Sequence, residues 1–353
     1  MTRKQIDALL KALEAMISGG YKGSIAGIMS NAQLAQAIKA IEIGDIDKLM
    51  QAVGVRPGSF TDFNESVRGA YLESGAFFIG ADVPKRFGAI FDISNPRAEA
   101  WLKQRSSQMI TRITQSQREA IQLILRDGMK LGRNPRSVGL DIIGRMGKGG
   151  IRTGGVIGLN GPQAELVRQM RNALSGADVV IFHADDGRLF TKFWIGDDGK
   201  LKSVYTRRDH RFDSVIRKAI DSGKPLPSAT VDRLTSRYSD RLKELRGATI
   251  GRTEALASLN AAADESLQQI IQEGLAPPDA VKRIWRHSYG KDERPGHLAM
   301  SGQERGPDEP FANPYTGALL QRPGDGPASE VINCRCYVEH KIDFVKVEQA
   351  RAY

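Results

Sequence analysis

A chain of 353 residues with 41% hydrophobic and 26% charged side chains has the length for two or three domains and a globular composition, which excludes pervasive disorder and a fibrous repeat. Its net charge of +10 suits a polyanionic neighbour without naming one, and the excess is concentrated, since residues 97–152 hold twelve Lys and Arg against four Asp and Glu. No window approaches the roughly 18 uncharged apolar residues of a membrane span, and two cysteines cannot build a disulfide framework, so cytosolic synthesis is expected.

The opening MTRKQIDALLKALEAMISGG places Ile6, Leu9, Leu10, Leu13 and Ile17 at helical spacing, while Asp7 and Glu14 interrupt any secretion-signal core. Residues 1 to about 55 read as short helices broken at SGGYKGS and at EIGDID, closed by the turn VRPGS. Residues 59–78 predict another helix, capped by Ser59 or Thr61, and FGAIFDISNP over 87–96 predicts a short extended piece. From Pro96, a residue the first helical turn tolerates, a long helix is expected to end at the glycines of 128 and 132. It would bury Trp101, Ile110, Ile113, Ile121, Ile124 and Leu125, with Arg105, Arg112, Arg118 and Arg126 largely off that stripe. Together with Lys130 and Arg133 these arginines are the candidate contacts to DNA phosphates, each adding salt-dependent, sequence-independent affinity. A solvated face, or one turned to an acidic protein, explains them equally well.

RNPRSVGLDIIGRMG gives one more short helix. The glycine-rich KGGIRTGGVIGLNGP that follows lacks the Lys-Ser/Thr ending of a phosphate-cradling loop and reads as a linker or exposed loop. A helix begins near GLNGPQAELVRQMRNAL, and the DDG turn within KFWIGDDGKLKSVYT suggests a small β-hairpin insertion near 176–206. Next come a helix, a proline-marked turn at 223–228 and two more helices, closed by Gly274 and Pro277-Pro278. After 280, short segments between turns predict a small α+β unit. The expected fold class is therefore mainly α with a small C-terminal α+β domain. The expected division is 1–90, a helical region without an assigned role, 91–245, basic and helical, 246–345, the α+β domain, and a tail at 346–353.

At about 100° per residue, Arg252 shares a helical face with Leu256, Leu259, Ala263, Leu267 and Ile270. Arg252 is thus expected to point into the apolar face and to need a carboxylate, for which Asp325 is the candidate, since an unpaired buried charge is costly. Glu254 falls on a small-residue face with Ala257, Ser258 and Ala261, where the Arg-Thr-Glu triplet reads as an ion-paired core anchor. The C-terminal unit gathers His287, Asp292, Glu293, His297, Asp325, Cys334, Cys336 and His340. In an extended strand Cys334 and Cys336 share a face, and zinc would suit two thiolates and one or two imidazoles at about 2.0–2.3 Å. Cys-x-Cys is not the usual Cys-x2-Cys knuckle, so zinc, buried free thiols and a redox-labile pair all stay open. His297 is the better co-ligand, because His340 stands about 20 Å from Cys334 along a straight strand. An enzyme reading takes His297 as general base, with Asp292 or Asp325 orienting it or holding a metal.

IGRTEALASLNAA at 250–262, KRIWRHSYGKDERPGHLAMSGQ at 282–303, the PF at 310 and PGDGPASEVINCRC at 323–336 together resemble the Mu F-like (MuF) phage head morphogenesis family. Upstream helices extend the likeness to about residue 90. The matching positions are Arg252, Thr253, Glu254, Trp285, Arg294, His297, Asp325, Asn333, Cys334, Arg335 and Cys336, and the ERPGH step departs from the family with its Pro-Gly. The resemblance implies a minor capsid protein inside the head of a tailed bacteriophage, made in the host cytoplasm, with ejection alongside the genome left open. The implied partners are the portal protein and packaged double-stranded DNA, with the major capsid or scaffold protein as further candidates, and no membrane. Some relatives carry toxin domains after this module; none is expected here, since the chain ends seventeen residues past Cys336. No catalysis and no cofactor is expected, zinc at Cys334, Cys336 and His297 being the exception held open. The alternative is a metal-dependent hydrolase or nuclease centred on His297 and nearby carboxylates, and a third reading is a DNA-binding accessory protein.

Overall fold

In chain order the helices are α1 (Arg3–Asn31), α2 (Leu34–Glu42), α3 (Ile46–Val53), α4 (Thr61–Asp82), α5 (Pro96–Lys130), α6 (Pro135–Ile143), α7 (Gly161–Ser175), α8 (Asp213–Ser222), α9 (Ser228–Gln272), α10 (Pro295–Ala299), α11 (Ala328–Val331) and α12 (Phe344–Arg351). The computed structural model describes residues 2–84, 87–175, 182–183, 189–190, 193–222, 224–288 and 293–351. The fold is mainly α, with its longer strands near the C-terminus, as the sequence led us to expect. Two compact units form, one from Met1–Tyr21, Thr61–Gln108 and Gly247–Tyr353, the other from Lys22–Phe60 and Met109–Arg246. Neither is a contiguous segment, because the long helices α1, α5 and α9 contribute residues to both.

In the second unit, the expected break at EIGDID separates α2 from α3, and the Asp45 side chain caps α3 by accepting from the N–H groups of Asp47 and Lys48, both at 3.0 Å. The glycine-rich stretch after α6 is a correction to the sequence reading. A minimal hairpin of β1 (Arg145–Met146) and β2 (Arg152–Thr153) leads into a segment in which Gly154 to Leu159 are buried. Its backbone is satisfied by side chains instead of water: Gly154 N–H donates to Asp240 at 2.8 Å, Gly158 N–H donates to Gln117 at 2.7 Å, and Ser239 donates to the Gly155 carbonyl. Gly155 has φ +70, and a Cβ there would stand 2.4 Å from the Gly144 nitrogen, so glycine is required. The absence of charge in GGVIGL thus marks an internal strap, not an exposed linker.

Two antiparallel pairs follow, β3 (Phe182–His183) with β4 (Leu189–Phe190) and β5 (Phe193–Ile195) with β6 (Leu201–Ser203). The second is the hairpin expected around the DDG turn; residues 176–181, 184–188 and 191–192 of that insertion lie outside the described residues.

The first unit corrects two expectations. Helix α1 runs unbroken through SGGYKGS, although a glycine costs a helix interior about 1 kcal/mol. Its buried stripe Leu13, Ile17 and Tyr21 continues across the glycines, and Gly20 permits a close approach to α4: a Cβ there would fall 2.4 Å from Ser66 Oγ. Helix α9 is one 45-residue element where two helices were expected. Its Gly251 marks another close crossing, since a Cβ would lie 2.6 Å from the Glu14 carbonyl oxygen. FGAIFDISNP forms no strand. Its backbone at Asp92 bonds the Gln269 side chain, N–H to Oε1 and Nε2–H to O, each at 2.8 Å, while Phe87 and Phe91 enter the core. That core joins Tyr71, Ile79, Leu102, Leu267, Ile270 and Val347 to the two phenylalanines.

Beyond α9, the strands β7 (Val281–Arg286), β8 (Glu304–Arg305) and β11 (Tyr337–Ile342) form an antiparallel sheet in the order β11-β7-β8, with Tyr337 opposite Arg286 and Ile342 opposite Val281. A separate hairpin pairs β9 (Phe311–Ala312) with β10 (Leu319–Leu320).

Candidate metal centre

Helix α10 starts with Pro295 in its first turn, where no N–H is needed. Gly296 follows, and its bare Cα accommodates Asn313, whose Oδ1 would lie 2.3 Å from any Cβ. His297 is thereby held inside the unit. From the other side, α11 ends and Asn333 takes φ +58, a left-handed turn that Asn tolerates better than most residues. That turn sends Cys334 and Cys336 inward, where both are buried.

The two cysteines precede β11 instead of lying within it, which corrects the strand reading, yet both face one point. Cys334 Sγ lies 3.4 Å and Cys336 Sγ 3.7 Å from His297 Nδ1, and the three ligand atoms fall within 4.8 Å of one another. The Cys336 N–H donates to Cys334 Sγ at 3.4 Å.

Behind the imidazole, His297 Nε2 sits 2.7 Å from Glu330 Oε2. Thr316 Oγ1 donates to the same carboxylate at 3.1 Å and Asn313 Nδ2 at 3.3 Å, so Glu330 is fixed in turn. Trp285 is fully buried and meets His297 edge-on at 5.4 Å. The centre opens on a cleft of about 620 Å³ that is also lined by Arg252, His287, Glu293, Arg294 and Arg335.

These contacts shift His297, Glu330, Cys334 and Cys336. Burial disfavours an imidazolium at His297, but Cys334 and then Glu330 outweigh it and hold its pKa above the ordinary value. Burial likewise works against the Glu330 carboxylate, and the hydrogen bonds from His297, Thr316 and Asn313 prevail, holding it below the carboxylate range. The hydrogen bond from Cys336, with help from His297, lowers the Cys334 thiol despite burial; Cys336 moves up because of its bond to Cys334 and its burial.

Arg252 departs from expectation. Its side chain is 31% exposed, donates to Asn333 Oδ1 at 2.7 Å and lies 4.0 Å from Glu14, while Asp325 pairs with Arg322 at 2.9 Å. A helical wheel fixes where the Cβ points; the long arginine stem then carries the charge off the apolar face. An arginine that is deeply buried in this unit is Arg283, 1% exposed on β7. It donates to Asp264 at 3.1 Å and to the carbonyls of Gly306, Gln321 and Glu309. Asp264 also receives Arg322 at 3.1 Å and contacts His340 Nε2 at 3.0 Å, so His340 belongs to this cluster and not to the cysteines.

Glu254 is the ion-paired core anchor: Arg105 holds it through two hydrogen bonds at 2.7 and 3.0 Å. Thr253 bonds the Thr249 carbonyl, Arg294 the carbonyls of Ser329 and Ile332, and Arg335 lies 3.6 Å from Glu14. Asp292 lies outside the described residues. Glu330, the carboxylate that orients His297, was missed in the sequence, where nothing in PASEV separates it from a surface acid. Asp264 was missed too, although an Asp following LNAAA within an apolar helix is a readable signal.

Among the DNA-contact candidates, Arg105 is committed to Glu254, Arg118 to Asp47 at 2.6 Å and Arg133 to Asp141 at 2.5 Å. Arg112, Arg126 and Lys130 are exposed. No helix among the described residues is long and apolar enough to cross a membrane. No protein-family model, curated protein or solved structure matches the chain.

Proposed function

We propose that this chain is a minor capsid, head-morphogenesis protein of a tailed bacteriophage, acting inside the head beside the portal and packaged double-stranded DNA and turning over no substrate. One observation carries the reading: three of the separate sequence stretches that resemble the MuF family line a single cleft, and their distinctive side chains hold one another. Arg252 bonds Asn333, Arg294 bonds the carbonyls that end α11, and His297 bonds Glu330. Such mutual restraint suits a part that must keep its shape under load. Purified particles probed for this chain by mass spectrometry, together with co-purification of the portal, test the proposal. The chain should be present in few copies per particle; its absence from mature and immature heads would sink the idea.

A second reading, a metal-dependent hydrolase or nuclease, draws support from Glu330 behind His297 and from the adjoining cleft. Divalent-ion-dependent cutting of DNA that His297→Ala abolishes would replace the first reading with this one.

A further inference from the structure

We propose that His297 Nδ1 and the sulfurs of Cys334 and Cys336 bind one zinc ion, with Glu330 as the carboxylate behind the histidine and the fourth coordination position open to the cleft. The metal goes beyond the proposed function, which neither requires it nor falls with it.

Geometry points to zinc over a hydrogen-bonded thiol pair. Tetrahedral zinc, with bonds of about 2.3 Å to sulfur and about 2.0 Å to nitrogen, sets each sulfur about 3.5 Å from the nitrogen. The separations of 3.4 and 3.7 Å bracket that value. Two sulfurs also converge on one ring nitrogen, and a single nitrogen can donate to or accept from only one of them in a good hydrogen bond. In the neutral ring, Glu330 at Nε2 places the proton there and leaves a lone pair on Nδ1, the tautomer that a metal-bound imidazole needs. Thr316 and Asn313 fix that carboxylate in turn.

The remaining features agree. The Cys336 N–H directed at Cys334 Sγ stabilises a thiolate. As the ion enters, each thiol releases its proton to solvent, and two thiolates balance the 2+ charge, so the ion with its three ligands carries no net charge. A disulfide between the two cysteines would close a very short, strained ring. Three protein ligands beside an open cleft leave the last position to water or another light-atom ligand, and His287 lines the same cleft.

The test uses the full-length chain, stripped with chelator and titrated with Zn2+, then with Co2+ as a spectroscopic probe. The expected result is one zinc per chain, a cobalt spectrum with thiolate charge-transfer and intense tetrahedral d–d bands, and an X-ray absorption shell of two sulfurs and two light atoms. Glu330→Gln should keep the stoichiometry and weaken affinity by about 10- to 100-fold. Cys334→Ser should abolish the charge-transfer band in part and lower the affinity further. In case a cysteine variant fails to fold, alkylation of the unmutated chain supplies a second readout: both thiols should be protected with zinc and modified after chelation. A folded chain that takes up no zinc, alkylation indifferent to the metal, or a shell of three or four sulfurs drawn from two chains would each overturn the proposal.

Discussion

Asp264 is a single carboxylate that meets Arg283, Arg322 and His340 at 3.0 to 3.1 Å. Burial alone would raise its pKa, but the hydrogen bond from His340 and the charges of Arg322 and Arg283 outweigh it and hold the group below the carboxylate range. A depressed folded-state pKa means a stabilising contribution that is complete above the unfolded value of about 3.9 and disappears as pH falls through the lower, folded one. Asp264→Asn should therefore cost about 3–5 kcal/mol at neutral pH, since it leaves the buried Arg283 guanidinium without its carboxylate. Urea denaturation over a pH series should show that gap closing only in acid, below the ordinary carboxylate range. At this scale the sequence was only partly informative. His297 and the two cysteines could be paired as metal-capable groups from their types and spacing. Asp325 could not be told from Asp264 as an arginine's partner, because long flexible side chains reach several carboxylates and the backbone pattern does not say which.

At the scale of elements, the same residue type carries opposite meanings. Gly20 sits where a Cβ would meet Ser66 and Asp62, whereas Gly27, further along α1, has nothing within 4 Å of its would-be Cβ. Gly20→Ala should overpack the α1–α4 contact and cost about 1–3 kcal/mol. Gly27→Ala should stabilise by up to about 1 kcal/mol, since only helix propensity changes. Paired thermal melts of the two variants, moving in opposite directions, check this. The contrast also explains which elements could be read beforehand. Helix α5 was legible because Pro96 and the stripe Trp101, Ile110, Ile113, Ile121, Ile124 and Leu125 are local signals; the last five side chains are buried and Trp101 is half-buried. The continuity of α1 and α9 was not, because a partner helix distant in sequence decides whether a glycine breaks a helix or brings two together. FGAIFDISNP shows that a segment outside any sheet can be satisfied by one glutamine side chain as well as by a neighbouring strand.

For the molecule as a whole, the net charge of +10 overstates the surface available to a polyanion. Several cations of the 97–152 segment are paired with carboxylates of the same chain, Arg97 with Glu265, Arg105 with Glu254, Arg118 with Asp47 and Arg133 with Asp141. If Arg112, Arg126 and Lys130 are the phosphate contacts, affinity for duplex DNA should fall about 40-fold between 50 and 200 mM salt. Replacing all three with Ala should flatten that dependence, and a flat response in the unmutated chain would remove DNA from the proposed partners. The glycine strap after α6 carries a different consequence. Glycine-rich connections ordinarily exchange their amide protons quickly and invite proteolytic nicking. Here the amides of Gly154 and Gly158 are tied to Asp240 and Gln117. Deuterium uptake across 154–159 should therefore be as slow as in the flanking helices, and limited proteolysis should pass over what looks like its easiest target.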